Sequence, residues 1–219
     1  MRTRVSRPAF FVGLTVLACV VMCPNAAWSK LGMNGLPDEV HWLAGFADRS
    51  AAQAGILSNV AAGVNLRASG LLITTDIPAI HSGGIRVTID RQSIDAKAMV
   101  AFPTAHIAAF ALDLEGELPV PKLGEPVQGE KVIIIGSSAG RFAPMITRGL
   151  VSQVSTVENG GAFYVDTAKA GRVADGVVMS GDRVIGIVTH EGLRVRCLSM
   201  PAIEKLVSRW QEKPVEANP

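Results

Sequence analysis

Aromatic side chains are scarce in this 219-residue chain, 5% of the total with a single tyrosine. Nucleic-acid binders combine basic patches with rings on which bases stack. Here Arg141, Arg148, Lys169, Arg172, Arg194 and Arg196 are scattered among acids with almost no aromatic neighbours, which argues against nucleic acid as a partner. Cysteine is scarcer still, and three thiols cannot build a disulfide framework. The metal-binding spacings H-x-x-H, H-E-x-x-H and C-x-x-C are missing. GSSAGR at 136–141 lacks the lysine and the following helix of a phosphate loop. Strands do not alternate with helices, which argues against a doubly wound parallel sheet.

What is present begins with an apolar block. Mean hydropathy is +0.32, and much of it comes from the first 29 residues. Arg2, Arg4 and Arg7, with no acid among them, precede an apolar run over 8–22 and a polar stretch ending Ala27-Trp28-Ser29. That order reads as an export signal cleaved before Lys30, with an uncleaved N-terminal anchor as the alternative. The run is short for a hydrocarbon core of about 30 Å. The expected location is periplasmic or secreted, with membrane attachment only through a retained N-terminal segment. Without those three arginines the net charge falls from +2 to −1, because 18 basic residues then face 19 acidic ones. Cleavage also removes Cys19 and Cys23, leaving Cys197 as the lone thiol in an apolar alternation that predicts burial.

Residues 30–54 form a mixed lead-in, with a helix expected over 38–54 from the spacing of Val40, Leu43 and Phe46. From 55 the period drops to two. Strands are expected at 61–66, 70–75, 85–90, 96–102 and 107–112, then at 132–136, 147–155, 162–166, 176–179, 184–189 and 195–198. Gly, Pro, Asp or Asn turns bound most of them. Eleven short strands argue for an all-β sandwich or barrel. The Pro/Gly-rich stretch ELPVPKLGEPVQGE, residues 117–130, reads as a linker between halves at 55–116 and 131–200. Pro201 opens an amphipathic helix over 201–212, with Ile203, Leu206, Val207 and Trp210 on one stripe. The polar residues 213–219 read as a disordered tail.

The order of these segments resembles the trypsin-like double-barrel serine proteases, most closely the HtrA (Deg) type. ASGLLI at 68–73 is similar to the family's opening strand, and IRVTIDRQSIDAKAM at 85–99 to its next hairpin. HIAAFAL at 106–112 resembles D-I-A-L-L. KVIIIGSSAG followed by TRGLVSQVS resembles the V-x-x-x-G-N-P-x-G and S-G-I-V-S segments, and VIGIVT with LSMPAIEKLV the closing strand and helix. The resemblance spans about 55–209 and implies a trypsin-like double β-barrel with a C-terminal helix.

It also implies where a catalytic triad would stand, and this sequence does not supply one. Acyl transfer needs a serine, an imidazole base and a carboxylate to orient that base. Counting from Asp166, which matches the family's T-D-A aspartate, puts the nucleophile position at Ala174, in GRVADG instead of G-N-S-G-G. Val173 and Asp175 then flank it, bringing a carboxylate to a place where an anion should be stabilised. The orienting acid falls on His106, and the base on Ile77 or on the nearby His81. The resemblance therefore implies a non-catalytic pseudoprotease that binds a protein or extended peptide, with no organic cofactor.

Two alternatives follow from the remaining residues. His81 and His106 stand near two former triad positions and together suggest a divalent transition-metal site, as in biomineralisation-type pseudoproteases. A hydrolase with relocated catalytic residues needs a serine within reach of a histidine. GSSAG at 136–140 has the spacing of a nucleophile elbow, but another strand follows it, so an inter-strand loop is expected.

Overall fold

The computed structural model describes residues 40–46, 57–75, 84–89, 92–112, 116–138, 141–156, 160–173, 175–190 and 194–211. The first ring contains β1 (Val40–Phe46), β2 (Leu57–Arg67), β3 (Leu71–Thr75), β4 (Gly84–Ile89), β5 (Gln92–Phe102) and β6 (Ile107–Leu112). They close into an antiparallel barrel in the order β1-β2-β3-β6-β5-β4. After the short β7 (Lys122–Leu123) come β8 (Lys131–Ser138), β9 (Arg141–Val154), β10 (Ala162–Asp166), β11 (Val177–Ser180), β12 (Arg183–His190) and β13 (Val195–Ser199). These six run β11-β8-β9-β10-β13-β12, and pairing of β11 with β12 closes the circuit. Counted from its own first strand, each ring has the order 1-2-3-6-5-4. Helix α1 (Met200–Gln211) follows. The chain is a trypsin-like double β-barrel with a C-terminal helix.

Three apolar cores explain why strand after strand is buried on both faces. Within the first ring, Ala61, Leu72, Val87, Ala108 and Phe110 fill the interior. Val132, Ile134, Val151, Phe163, Val178 and Ile185 fill the second. The neighbours of opposite parity, Leu71, Ile73, Ile107 and Ala109 on one side and Ile135, Val177, Met179 and Val184 on the other, meet between the rings. A strand between two cores needs apolar residues at every position, hence LLITT in β3 and VVMS in β11, buried throughout. Helix α1 adds Met200, Ala202, Ile203 and Val207 to the shared core, with Leu206 and Trp210 packed beside them, on the stripe expected from sequence.

The start of the chain differs from the sequence expectation. Val40–Phe46 is not part of a helix over 38–54; it forms β1. Its residues satisfy both periods, and tertiary pairing decides between them. β1 pairs with β2 on one side and β4 on the other, and without it the ring would have two open edges. The first barrel thus takes its opening strand from the segment read as a lead-in. Residues 1–39 and 212–219, with the expected signal and tail, lie outside the described residues, as do 47–56. Among the described residues no helix is long and apolar enough to cross a membrane.

The linker is an ordered strap. β7 pairs in parallel with β12, and Lys122 meets Asp182 across that pairing, an exposed contact in which the ammonium holds the Asp182 carboxyl below its ordinary range. Leu118 and Pro121 are buried. Backbone bonds from Leu118 N to Ala68 O and from Gly124 N to Val184 O tie the strap to both rings. Cys197 is fully buried in the second core, where desolvation pushes its thiol far above the ordinary range. A Cys19→Ser/Cys23→Ser variant should therefore take up no thiol reagent when native and one equivalent when unfolded. Labelling of the native protein at the rate of a free thiol would show that the second barrel opens locally.

Candidate functional site

Described residues beside the three positions that the resemblance matches to a triad meet at one point of the seam between the rings. Thr75, which ends β3 two residues before Ile77, donates its hydroxyl to Val188 O on β12 at 2.7 Å. Val188 N–H in turn donates to Gly176 O at 2.8 Å, two residues after Ala174. Thr75 also pairs with Ile107, the residue after His106. One residue of β12 thus ties together the flanks of all three positions. Ile77, His81 and Ala174 themselves lie outside the described residues.

His106 is described, and it stands alone in its backbone conformation. It caps a short 3-10 turn, Pro103–Ala105, with φ 55 and its N–H on Pro103 O at 3.2 Å. Among the described residues it is the only non-glycine with positive φ. Its side chain is exposed. A carboxylate at a triad's orienting position would be buried against the base. Where the resemblance implies such a group, this chain has a solvent-facing imidazole on a left-handed residue.

The loop after β10 is built from small polar contacts. Asp166 Oδ1 accepts from Ser152 Oγ at 3.0 Å and lies 3.6 Å from Arg194 Nε. Thr147 and Thr167 hydroxyls meet at 3.2 Å. A 3-10 turn, Ala170–Arg172, then delivers Val173 into the second core.

Beyond residue 174 the chain turns inward. Asp175 is 2% exposed, and its carboxylate accepts the Ser137 backbone N–H at 2.8 Å and the Ser137 hydroxyl at 2.6 Å. Sequence reasoning singled out both residues and did not join them, because nothing local links positions 38 apart. The glycines on either side make the approach possible. A Cβ on Gly136 would sit 2.0 Å from Asp175 O, and one on Gly176, at φ +148, 2.8 Å from Ile135 O.

This pairing settles two points of chemistry. Ser137 lies in strand β8, which ends at Ser138 and pairs with β9 from Arg141 onward, so Gly136–Ser138 closes a hairpin strand and a strand, not a helix, follows at Arg141. Its hydroxyl donates to a carboxylate, an arrangement that fixes the loop, and among the described residues no imidazole is bonded to it. Other described serines act similarly: Ser152 donates to Tyr164 O, and Ser180 to Glu130 Oε1. Where the resemblance implies an oxyanion hole, which needs donors directed at substrate, Asp175 presents acceptors to Ser137.

No family model matches the chain, and no curated protein matches it. The family resemblance therefore rests on the co-linear motifs.

For the metal reading, His106 is the described member of the pair, and the position of His81 lies outside the described residues. Among the described residues no group of three or more His, Cys, Asp or Glu side chains is placed to hold an ion. His41 is buried on β1 in the first ring.

Proposed function

We propose that this protein is an exported, non-catalytic relative of the HtrA-type trypsin-like proteases that binds extended protein segments. The observation that carries the reading is the seam at Val188. The flanks of all three triad positions converge there, while the chain supplies Ala174, His106 and either Ile77 or His81 in place of the catalytic groups, with Asp175 beside Ala174 turned inward. A double barrel that keeps this seam without the reacting groups retains a surface for polypeptide and loses the means to cleave it. Export follows from the basic and apolar order of residues 1–29.

The test pairs binding with cleavage. Fluorescent, denatured casein should bind saturably to the purified protein, remain full-length on prolonged incubation, and leave the protein unlabelled by a fluorophosphonate. Reproducible hydrolysis abolished by a single Ser→Ala change would overturn the reading in favour of relocated catalysis. Calorimetry with Zn²⁺ separates off the metal alternative. Saturable binding lost in both His81→Ala and His106→Ala would replace the protein-binding reading with a metal site.

A further inference from the structure

The outer surface of β8, β9 and β11 is one continuous face with two environments. Cross-strand pairing sets Ile146, Ile135 and Val177 in one row, and Arg148, Ile133 and Met179 in the next. Leu150 pairs with Lys131 in the row after that. Ile135, Val177 and Met179 on this face are covered by the first barrel, with Ile133 partly buried beside them. On β9 the face is not covered, and Ile146 and Leu150 stand 54% and 43% exposed. A groove of about 630 Å³ is lined by Leu150 together with Ile133, Lys131, Arg148 and Asp166, and Ile146 stands outside it, one step along β9 from Arg148.

The charge of the groove is unbalanced. Asp166 is engaged by Ser152 and Arg194. The Lys131 ammonium and the Arg148 guanidinium are exposed, and among the described residues neither has a carboxylate within ion-pair distance. They are diagonal neighbours on adjacent strands, which sets their Cβ atoms roughly 7 Å apart. A single carboxylate between them can reach both. Along β9 the outward residues therefore read apolar, cationic, apolar at steps of about 6.8 Å, the spacing of alternate residues in any extended chain.

We propose that this groove, together with the exposed Ile146 next along β9, binds an extended peptide segment of the pattern apolar-x-acidic-x-apolar, laid along β9. The acidic residue bridges Arg148 and Lys131, and the flanking apolar residues cover Ile146 and Leu150. β8 holds one side of β9 along this stretch and β10 pairs with it only from Leu150 onward, and the proposed contacts are made by side chains on the sheet face. The proposal rests on the protein-binding reading above and names a second surface, apart from the seam at Val188.

The experiment is fluorescence anisotropy with a labelled Ser-Val-Ser-Glu-Ser-Val-Ser peptide, using the same peptide with Lys for Glu as control. The acidic peptide should bind more tightly, and high salt should weaken it. Arg148→Glu and Lys131→Glu should each reduce affinity about tenfold, since attraction becomes repulsion at an exposed site. Leu150→Asp should do the same through the apolar contact. Unchanged circular dichroism and melting of the Arg148→Glu and Lys131→Glu proteins would show that the fold is intact. No preference for the acidic peptide, binding that survives both reversals, or full displacement by millimolar inorganic phosphate would each overturn the proposal. Casein binding that persists in the reversed variants would then leave the seam reading standing, whereas casein cleavage would overturn that reading alone.

Discussion

Replacing Gly136 by alanine should lower the melting temperature of the protein by roughly 6–12 °C, corresponding to about 3 kcal/mol in a chain of this length. The added Cβ would lie 2.0 Å from the carbonyl oxygen of Asp175 and 2.8 Å from Asp175 C and Gly176 Cα. All three are backbone atoms, so no side chain can swing aside. Relief requires β8 and the 175–176 segment to separate, and that separation pulls apart the Ser137–Asp175 contact and the β8–β11 ladder. The loss should be visible in thermal melts by circular dichroism. A shift below about 2 °C would mean that the strand pair moves freely and that the 175–176 loop is not fixed by its backbone.

Asp175→Ala should cost about 3 kcal/mol, because it leaves two buried donors of Ser137, the backbone N–H and the hydroxyl, without their acceptor. Ser137→Ala removes only the hydroxyl and should cost about 1 kcal/mol. Combining the two should cost less than the sum, with a coupling of about 1 kcal/mol from the hydroxyl–carboxylate bond, measured by chemical denaturation. Strict additivity would show that the two side chains do not bond in solution. Because the carboxylate fixes the loop next to Gly176, whose carbonyl accepts from Val188 N–H, Asp175→Ala should also loosen the seam. Weaker casein binding by that variant at a temperature where it remains folded would link the buried pair to the binding surface.

Much of the fold was legible in the chain because strand periodicity is a local property. Each of the eleven strands expected from alternation and turn residues has a counterpart, from β2 through β13, and the helix stripe of Ile203, Leu206, Val207 and Trp210 faces the shared core. Two strands were not legible, for different reasons. β1 carries apolar residues at both helical and strand spacing, and only pairing with β2 and β4 chooses between them. β7 is two residues long and exists only because β12 lies beside it. The strap that contains it reads as a linker by composition, since a Pro/Gly-rich stretch carries no signal for bonds to strands far along the chain.

The candidate site divides in the same way. Ala174 and His106 are residue identities, so what stands at the two positions that the resemblance matches to a nucleophile and an acid was legible in the sequence alone. It also determined the scarcity of aromatics, the basic and apolar order of residues 1–29, and the alternation that makes the chain a β protein. Only the tertiary structure decided that the two rings share one strand order, that Thr75, Ile107 and Gly176 gather at Val188, and that Asp175 turns onto Ser137. It likewise decided that Ile146 is left uncovered while Ile135 and Val177, in the same row on β8 and β11, are buried. Composition and period belong to neighbours in sequence, whereas a buried hydrogen bond, a ring closure and an uncovered sheet face depend on which distant strands come to lie side by side.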